Sequence, residues 1–328
     1  MEDIKHNIII IGAGSIGTAL GNTLAKKKDC NVTLLSIEQD VVESINGSRY
    51  NEKYFPKIKL SKFLKATTEV SVLRNADIVF LAIPSVVTVD YTINLGDNLP
   101  QQAILLNMAK GFSKDNTTIT ESLRAKLSNP VCSFKGPTFA RELINKLPTA
   151  FTVGSEVKEH KYLFTNLFKE TPIHIDFTTD VKGVELLSIL KNIYAIAMGI
   201  VDAHFNSPNL RFLFLTKAFN EMKEILEKFG GSKGTLFKYC GYGDFSLTAL
   251  NDLSRNRTLG LLIGKGFFTD DISDKVVLEG KIAVGVFCEQ ISKTNSLECN
   301  FPIIGELYKL FNTDYKISEF VSRVINNG

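Results

Sequence analysis

The first half of the chain contains several short apolar runs, each followed by glycine or by polar residues. The run at residues 7–11 reads NIIII, an uninterrupted β-branched stretch of the kind found in strands that are covered on both faces. Further runs of this type occupy residues 31–35, 76–83, 103–107, 131–134, 150–153 and 173–177, and residues 49–65, rich in lysine and aromatics, read as a loop-like excursion. The pattern predicts an α/β domain whose strands are buried in a largely parallel sheet.

The pattern changes near Thr179, where strand signals fade and helical periodicity begins. Residues 183–203 form a mostly apolar stretch, and a long amphipathic helix is predicted over about residues 210–229, ended by two glycines. Residues 240–244 (CGYGD) read as a glycine-rich loop. We therefore expect two domains, residues 1–179 and 180–328, the second of them all-α.

One face of the predicted helix at 183–203 is small and polar. At about 100° per residue this face holds Ser188, Lys191, Ala195, Gly199 and Asp202. Burying an ammonium costs free energy, and a protein retains such a group only where it is needed. Lys191 therefore either extends its charged end out of a core helix or performs chemistry there. In the second case the stripe would form the floor of a cleft, while Asp202 would only cap or pair within the second domain.

Length and composition narrow the class of protein. A chain of 328 residues exceeds a comfortable single core, and a net charge of +3 does not favour nucleic acid or a membrane surface as partner. The five cysteines lack CxxC spacing and the four histidines lack metal-ligand spacing, so we expect reduced thiols and no metal. The acidic N-terminus does not resemble a signal peptide, and no apolar run looks long enough for a membrane span. These features predict a cytoplasmic protein.

A glycine motif follows the first apolar run directly. Gly12, Gly14 and Gly17 form GxGxxG between the run at 7–11 and an apparent helix reaching about Lys28. In this context the glycines permit a tight turn, close approach of the backbone to a pyrophosphate, and tight packing of helix on strand. The motif predicts a Rossmann-type dinucleotide-binding domain. Glu38 lies slightly late for the usual contact with the adenosine ribose and no arginine is beside it, so the choice between NAD and NADP stays open.

Other polar groups follow the predicted strands at the edge where α/β sheets bind ligands. They include Pro84, Lys110 and Gly136, each just after an apolar run. In the second domain, the sequence SRNR at residues 254–257 places two arginines around an asparagine. This suggests a clamp for phosphate or carboxylate, the alternative being a solvated helix start.

Taken in order, these segments resemble the soluble NAD(P)-dependent glycerol-3-phosphate dehydrogenases over almost the whole chain. The matching blocks are GAGSIGTAL at 12–20, Pro84-Ser85, Lys110-Gly111, GPTFARE at 136–142, LKNIYAIA at 190–197, Gly243-Asp244, Leu247-Thr248, SRNR at 254–257 and Glu279-Gly280. The resemblance implies a Rossmann-type domain, a helical domain and an active-site cleft between them. It also implies a homodimer that interconverts sn-glycerol 3-phosphate and dihydroxyacetone phosphate with NAD or NADP and supplies phospholipid synthesis.

The resemblance also assigns roles to residues. Lys191 matches the catalytic lysine, with Lys110 and Asp244 as further catalytic candidates. The substrate positions are matched by Lys110, Gly136, Thr138, Lys191, Asn192, Asp244, Ser254, Arg255 and Asn256. The dinucleotide positions are matched by Gly12, Gly14, Ser15, Ile16, Gly17, Pro84, Lys110, Ala140, Arg255 and Glu279.

The chemistry of these side chains fits the implied roles. Lys191 would exchange a proton with the substrate oxygen, and burial together with the cations Lys110 and Arg255 would lower its pKa from about 10.4. Arg255 and Asn256 would hold the substrate phosphate. Asp244 would orient either Lys191 or a substrate hydroxyl.

Two other functions are compatible with parts of the pattern. A β-hydroxyacid dehydrogenase would share the two-domain plan and the lysine-asparagine helix but act on a carboxylate. A catalytically silent dinucleotide sensor would not require Lys191 or Arg255. The sequence departs from the family at several positions, among them Ser207-Pro208, where the proline would stiffen the turn before Asn209 and Arg211.

Overall fold

The computed structural model describes residues 6–267, 274–292 and 301–326, with the side chains of 274–279, 291 and 292 outside the description. The chain divides into two compact units, residues 1–185 and 186–328. The first unit is α/β and the second is built from helices. This is the fold class that the hydrophobic pattern predicts.

An eight-stranded sheet forms the centre of the first unit. Its order is β3-β2-β1-β4-β5-β6-β7-β8, and β7 runs antiparallel to β6 while the other neighbouring pairs are parallel. The strands are β1 His6–Ile11, β2 Cys30–Leu35, β3 Lys65–Thr67, β4 Ile78–Leu81, β5 Ile104–Asn107, β6 Val131–Lys135, β7 Thr149–Gly154 and β8 Ile173–Thr178. The apolar runs predicted every strand except β3, a three-residue edge strand that begins at Lys65, the last residue of the predicted excursion.

Helices cover the sheet on both faces. They are α1 Ser15–Leu24, α2 Gln39–Gly47, α3 Ser85–Ile93, α4 Ile119–Lys126, α5 Ala140–Ile144 and α6 Glu159–Phe168. Because side chains alternate along a strand, Ile8 and Ile10 of β1 enter one buried cluster and Ile9 and Ile11 enter another. Two separate cores, one on each face, explain why NIIII is apolar throughout.

The second unit contains seven α-helices in its described part. They are α7 Val181–Phe205, whose first residues belong to the first unit, α8 Pro208–Lys228, α9 Asp244–Leu250, α10 Arg255–Gly264, α11 Asp274–Ser292, α12 Pro302–Asn312 and α13 Ile317–Asn326. Ser207 caps α8 and Pro208 is its first residue, a position that tolerates proline because it needs no backbone N–H. The departure from the family at Ser207-Pro208 therefore forms an ordinary helix start.

The predicted glycine-rich loop at 240–244 is wrong. Tyr239–Gly243 is a π-helical turn that continues directly into α9. Gly241 is there for close packing, because a Cβ at this position would lie 2.1 Å from the carbonyl oxygen of Leu236.

Helix α7 is long and apolar enough to cross a membrane by length and composition, with a mean hydropathy of 1.7 over its most apolar window. By length and composition, the expectation that no apolar run is long enough for a membrane span is therefore wrong for this helix. However, 94% of that window is buried inside the protein, which is typical of a core helix.

Part of the polar stripe on α7 is covered by α10. A Cβ on Gly199 would lie 2.2 Å from the Arg257 carbonyl oxygen, and one on Gly260 would lie 2.0 Å from the Ile196 carbonyl oxygen. The two glycines therefore allow the helices to cross in backbone contact. The expectation that the polar stripe forms the floor of a cleft is therefore wrong for Gly199, which α10 covers.

Candidate functional site

The GxGxxG turn has a different physical requirement at each glycine. Gly12 has φ +109°, and a Cβ there would lie 2.5 Å from the Ala82 carbonyl oxygen. A Cβ on Gly17 would lie 2.0 Å from the Gly12 carbonyl oxygen, so helix α1 can pack on the turn only without one. At Gly14, by contrast, a Cβ would meet nothing within 4 Å. The packing of the protein therefore does not require glycine at position 14. A ligand that approaches the backbone closely there would require it.

The N-terminus of α1 can accept an anion. Gly14 is its N-cap, with no side-chain cap and no acid in the first turn, so the dipole end is not neutralised by the helix itself. Ser15 is exposed and Ile16 half-buried at this end. The turn and the helix start thus fit the pyrophosphate of a dinucleotide.

Asn51 fixes this turn and was missed by the sequence analysis. It is fully buried, and its Nδ2 donates to the Ala13 carbonyl oxygen and to Thr18 Oγ1, both at 2.9 Å. The loop-like excursion at 49–65 is therefore anchored on the glycine turn. Its position inside a lysine-rich segment gave no signal of such a contact.

The segment anchored by Asn51 also places Lys53 beside Glu38, the acid after β2 whose position bears on the choice between NAD and NADP. Glu38 is the N-cap residue of α2 and forms an ion pair with Lys53, which is exposed. The hydrogen bond to Glu38 raises the pKa of Lys53. The acid near the expected ribose position is thus accompanied by a lysine, which sequence spacing did not reveal.

Loops after β4 and β5 contact each other. Pro84 is the N-cap residue of α3, and a Cβ on Gly111 would lie 2.4 Å from Ser85 Oγ. Lys110, beside Gly111, is half-buried. Two of the predicted cofactor positions, Pro84 and Lys110, therefore lie on adjoining loops at one edge of the sheet.

The loop after β6 is held against β7. A Cβ on Gly136 would lie 2.2 Å from the Ala150 carbonyl oxygen, so the loop follows the neighbouring strand closely. Thr138 Oγ1 lies 2.6 Å from Thr149 Oγ1 and donates to the Ala150 carbonyl oxygen at 3.2 Å. Ala140 begins α5. The GPTFARE segment is thereby fixed by main-chain and hydroxyl contacts.

Behind these loops the structure contains a buried ionic cluster that the sequence analysis did not identify. Lys135 Nζ lies 2.9 Å from Glu185 Oε1, and both side chains are essentially inaccessible. Asn107 and Ser133 also donate to the Glu185 carboxylate. Lys135 lies just beyond the predicted apolar run at 131–134, and in the structure it is the last residue of β6 and is fully buried.

In the second unit, Lys191 is buried and its ammonium group donates hydrogen bonds to two side chains. Its Nζ donates to Asp244 Oδ1 at 2.6 Å and to Thr248 Oγ1 at 2.9 Å. Thr248 in turn donates to the Asp244 carbonyl oxygen at 2.6 Å. Of the two alternatives for Asp244, the contact present is the one with Lys191. Thr248 was noted only as part of a motif, although its spacing of four from Asp244 places both on one face of α9.

The carboxylate of Asp244 lies beside Lys191 and stabilises its ammonium form. This effect opposes the one expected from burial and from the cations Lys110 and Arg255, which would favour the neutral amine. The side chains of Lys191 and Asp244 are 5% and 2% exposed, so little water lies between them and their mutual attraction is strong.

The SRNR segment divides into a structural and an available part. Ser254 caps α10, and Arg257 is buried, with its guanidinium paired to Asp202 at 2.6 Å and to Asp252. Arg255 is exposed and Asn256 half-buried. The predicted clamp of two arginines is therefore wrong for Arg257, while Asp202 pairs within the second unit as expected.

Some predicted positions receive less support. Asn192 is half-buried on α7, next to Lys191. Glu279 lies in α11, but its side chain is outside the described residues. Among the side chains that the structure describes, no group of three or more His, Cys, Asp or Glu could hold a metal ion.

Comparison with known proteins assigns the chain to a family. Residues 7–161 match the family model for the N-terminus of NAD-dependent glycerol-3-phosphate dehydrogenase, and residues 180–322 match the model for its C-terminus. A glycerol-3-phosphate dehydrogenase [NAD(P)+] of Methanothermobacter thermautotrophicus is 35% identical, covering 97% of this chain and 98% of the relative. The protein of the same name from Clostridium botulinum is 32% identical, covering 92% of each.

A solved structure supports the same assignment. The crystal structure of glycerol-3-phosphate dehydrogenase from Coxiella burnetii superposes with a TM-score of 0.88 at 27% identity, covering 99% of this chain and 100% of that one. The chain therefore belongs to the NAD-dependent glycerol-3-phosphate dehydrogenase family.

Proposed function

We propose that the chain is an NAD(P)-dependent sn-glycerol-3-phosphate dehydrogenase, which interconverts glycerol 3-phosphate and dihydroxyacetone phosphate. The observation that carries the proposal is the buried Lys191 ammonium held by Asp244 and Thr248, in a chain whose other unit has a glycine turn shaped for a dinucleotide. Both halves of the chain match the family.

The bound dinucleotide would supply the hydride that reduces the substrate carbonyl carbon. Gly12, Gly14 and Gly17, with the open N-terminus of α1, would hold its pyrophosphate. Pro84, Lys110 and Ala140, at the loops after β4, β5 and β6, would line the rest of its path, together with Arg255 and Glu279.

Lys191 would donate a proton to the substrate oxygen as it becomes an alkoxide. Asp244 supports this role because its carboxylate keeps the lysine charged and fixes its position, and Thr248 accepts a second hydrogen bond. In glycerol 3-phosphate oxidation the amine would instead accept the hydroxyl proton. Since the contact with Asp244 stabilises the ammonium, ketone reduction would start from the protonation state of Lys191 that this contact favours, whereas oxidation would first require Lys191 to lose a proton.

Arg255 would bind the substrate phosphate together with Asn256, Gly136, Thr138 and Lys110. Arg255 is exposed at the start of α10, whereas Arg257 is committed to Asp202 and Asp252. A guanidinium binds phosphate bidentately, which would orient the reacting carbon. Ser254 would act by capping the helix that carries Arg255, and Asn192 by flanking Lys191.

We infer that both NADH and NADPH are accepted. Glu38 can accept a hydrogen bond from a ribose 2′-hydroxyl, and Lys53 offsets the repulsion that Glu38 would exert on a 2′-phosphate. We further propose that the chain forms a homodimer in the cytoplasm and supplies glycerol 3-phosphate for phospholipid synthesis.

The test is oxidation of NADH and NADPH by the purified chain with dihydroxyacetone phosphate or with a panel of β-keto acids. We expect turnover with dihydroxyacetone phosphate and with either cofactor. Turnover only with the acids would identify a β-hydroxyacid dehydrogenase instead. Binding of cofactor without turnover of any of these substrates would identify a silent sensor.

A further inference from the structure

The Lys135–Glu185 pair in the first unit has no role in the proposed chemistry. The exposed fractions of the two side chains are 0% and 1%, and their charged atoms are 2.9 Å apart. A buried pair of this kind is weak evidence for stability, since well-packed apolar residues often replace such pairs without loss. The presence of this ion pair in a sheet whose other buried side chains are uncharged therefore calls for another explanation.

Glu185 collects hydrogen bonds from two strands. Its carboxylate accepts from Asn107 Nδ2 at 2.8 and 3.0 Å, from Ser133 Oγ at 2.5 Å, and from Lys135. Lys135 also donates to the Asn107 carbonyl oxygen at 2.7 Å. The carboxylate thus joins the last residue of β5 to the end of β6.

Each segment joined in this way leads to residues of the proposed site. Asn107 Oδ1 accepts from the backbone N–H of Ala109 at 3.0 Å, which shapes the loop that carries Lys110. Lys135 is followed directly by Gly136 of the substrate loop. Glu185 itself lies in α7, the helix that carries Lys191.

We propose that Glu185 is a positioning residue for the reaction, which fixes the Lys110 loop and the Gly136 loop by holding Asn107 and Ser133. Lys135 is its counter-ion and neutralises a charge that burial would otherwise penalise. This inference rests on the proposed function. Because misplacing binding groups by about 1 Å can cost about 100-fold in rate, loss of the Glu185 oxygens is expected to have an effect of that order on kcat/KM.

The decisive comparison is between two double variants that lack both charges. Lys135→Met with Glu185→Met removes the oxygens that hold Asn107 and Ser133. Lys135→Met with Glu185→Gln keeps a neutral oxygen that can accept from them. We expect kcat/KM for dihydroxyacetone phosphate to fall about 100-fold in the first and to be largely restored in the second.

Two measurements separate positioning from folding. The stoichiometry of NADH binding counts the folded molecules, so that rates are expressed per folded enzyme. Ser155→Ala removes another buried hydrogen bond of the same unit, the one between Ser155 Oγ and His160 Nδ1 at 2.8 Å, and is expected to leave kcat/KM unchanged. Asn107→Ser, too short to reach both Glu185 and Ala109, provides an independent variant that is expected to lose activity.

The outcomes are distinguishable. If the wild-type chain turns over dihydroxyacetone phosphate and the Met/Met variant does so equally well per folded molecule, the positioning role is overturned and the proposed function stands. Should Met/Met not fold, full activity of Asn107→Ser would overturn the role in the same way. If the wild-type chain shows no turnover, both proposals fail. Equal falls in kcat/KM in the Met/Met and Met/Gln variants would also overturn the role, because both variants lack the two charges and only the second keeps the side-chain oxygen.

Discussion

Lys191 and Asp244 depend on each other for their burial. An isolated charge in a site of 4% exposure is strongly unfavourable, and the hydrogen-bonded partner at 2.6 Å offsets that cost. Removing the lysine alone leaves a buried carboxylate without its counter-ion, which typically costs about 3–5 kcal/mol of stability. Any mutational test of the catalytic lysine therefore has to separate lost chemistry from lost stability.

We expect Lys191→Met combined with Asp244→Asn to retain most of the stability that Lys191→Met alone loses. Turnover of dihydroxyacetone phosphate should nevertheless fall by about 10²–10⁴, because no ammonium remains to donate the proton. The measurements are kcat, the midpoint of urea unfolding and the affinity for NADH of both variants. The catalytic assignment would be refuted by wild-type turnover in the double variant.

His160 gives the first unit a pH dependence. Burial lowers the pKa of His160, whose Nδ1 lies 2.8 Å from Ser155 Oγ and 3.3 Å from Cys132 Sγ. In the unfolded chain a histidine titrates near 6.5, so below about pH 6.5 the unfolded state binds a proton that the folded state does not. This histidine therefore reduces the free energy of unfolding progressively as the pH falls from 6.5 towards its folded pKa.

The contribution of His160 can be measured by urea unfolding at pH 7 and pH 5 in the wild type and in His160→Gln. The variant is expected to lose less stability between the two pH values than the wild type, by at most about 1.4 kcal/mol per pH unit. An equal loss in both proteins would show that His160 does not titrate differently in the two states.

At the scale of single residues, sequence reasoning identified Lys191, because a lysine at the centre of an apolar helix is conspicuous. It named Asp244 as a partner of Lys191 only as one of two alternatives, since Asp244 lies 53 positions later and the contact exists only after the helices pack. Lys135 was missed for the opposite reason. It follows an apolar strand and precedes glycine, where lysine is normally solvated, and its contacts with Glu185 and the Asn107 carbonyl oxygen make its burial tolerable.

In the turn between β1 and α1, two glycines are required by the fold and one is required only if a ligand binds there. Gly12 and Gly17 are required by a positive φ and by contacts of 2.5 Å or less to carbonyl oxygens. Gly14 faces open space, and its φ of −70° is accessible to any residue.

Two single substitutions test this distinction. Gly14→Ala should fold with an unfolding temperature close to that of the wild type, yet bind NADH weakly, because the added methyl group occupies the path of the pyrophosphate. Gly17→Ala should be clearly destabilised, since its Cβ would lie 2.0 Å from the Gly12 carbonyl oxygen. Unfolding temperatures and NADH titrations check both results. Wild-type affinity for NADH in Gly14→Ala would argue against a cofactor at this turn.

Elements with strong periodicity were predictable and those defined by packing were not. The strands from β4 to β8 and the long helices α7 and α8 follow from apolar runs of the right length and period. The π-helical turn at Tyr239–Gly243 contradicts local composition, because its two glycines suggest a loop until the backbone of Leu236 packs against Gly241. The edge strand β3 has three residues and no pattern of its own.

For the molecule as a whole, the division into two units has a thermodynamic consequence. The glycine turn and the loops after β4 and β5 belong to the α/β unit, residues 1–185. Lys191, Asp244 and Arg255 belong to the helical unit. A cofactor that binds mainly through the first group stabilises the unit that contains it, by an amount set by its concentration and affinity.

At a free NADH concentration of 100 times Kd, the expected stabilisation is about 2.7 kcal/mol. For a domain of this size 1 kcal/mol shifts the unfolding temperature by about 2–4 °C, so a separate transition of the α/β unit should rise by about 5–11 °C. If the chain unfolds in one cooperative step, its unfolding temperature rises by less, because the enthalpy and entropy of unfolding the whole chain exceed those of one unit. Calorimetry of the wild type with and without NADH measures the shift, and Gly14→Ala at the same NADH concentration should show little of it. An equal shift in the two proteins would place the cofactor elsewhere than at the glycine turn, even if the activity assay had succeeded.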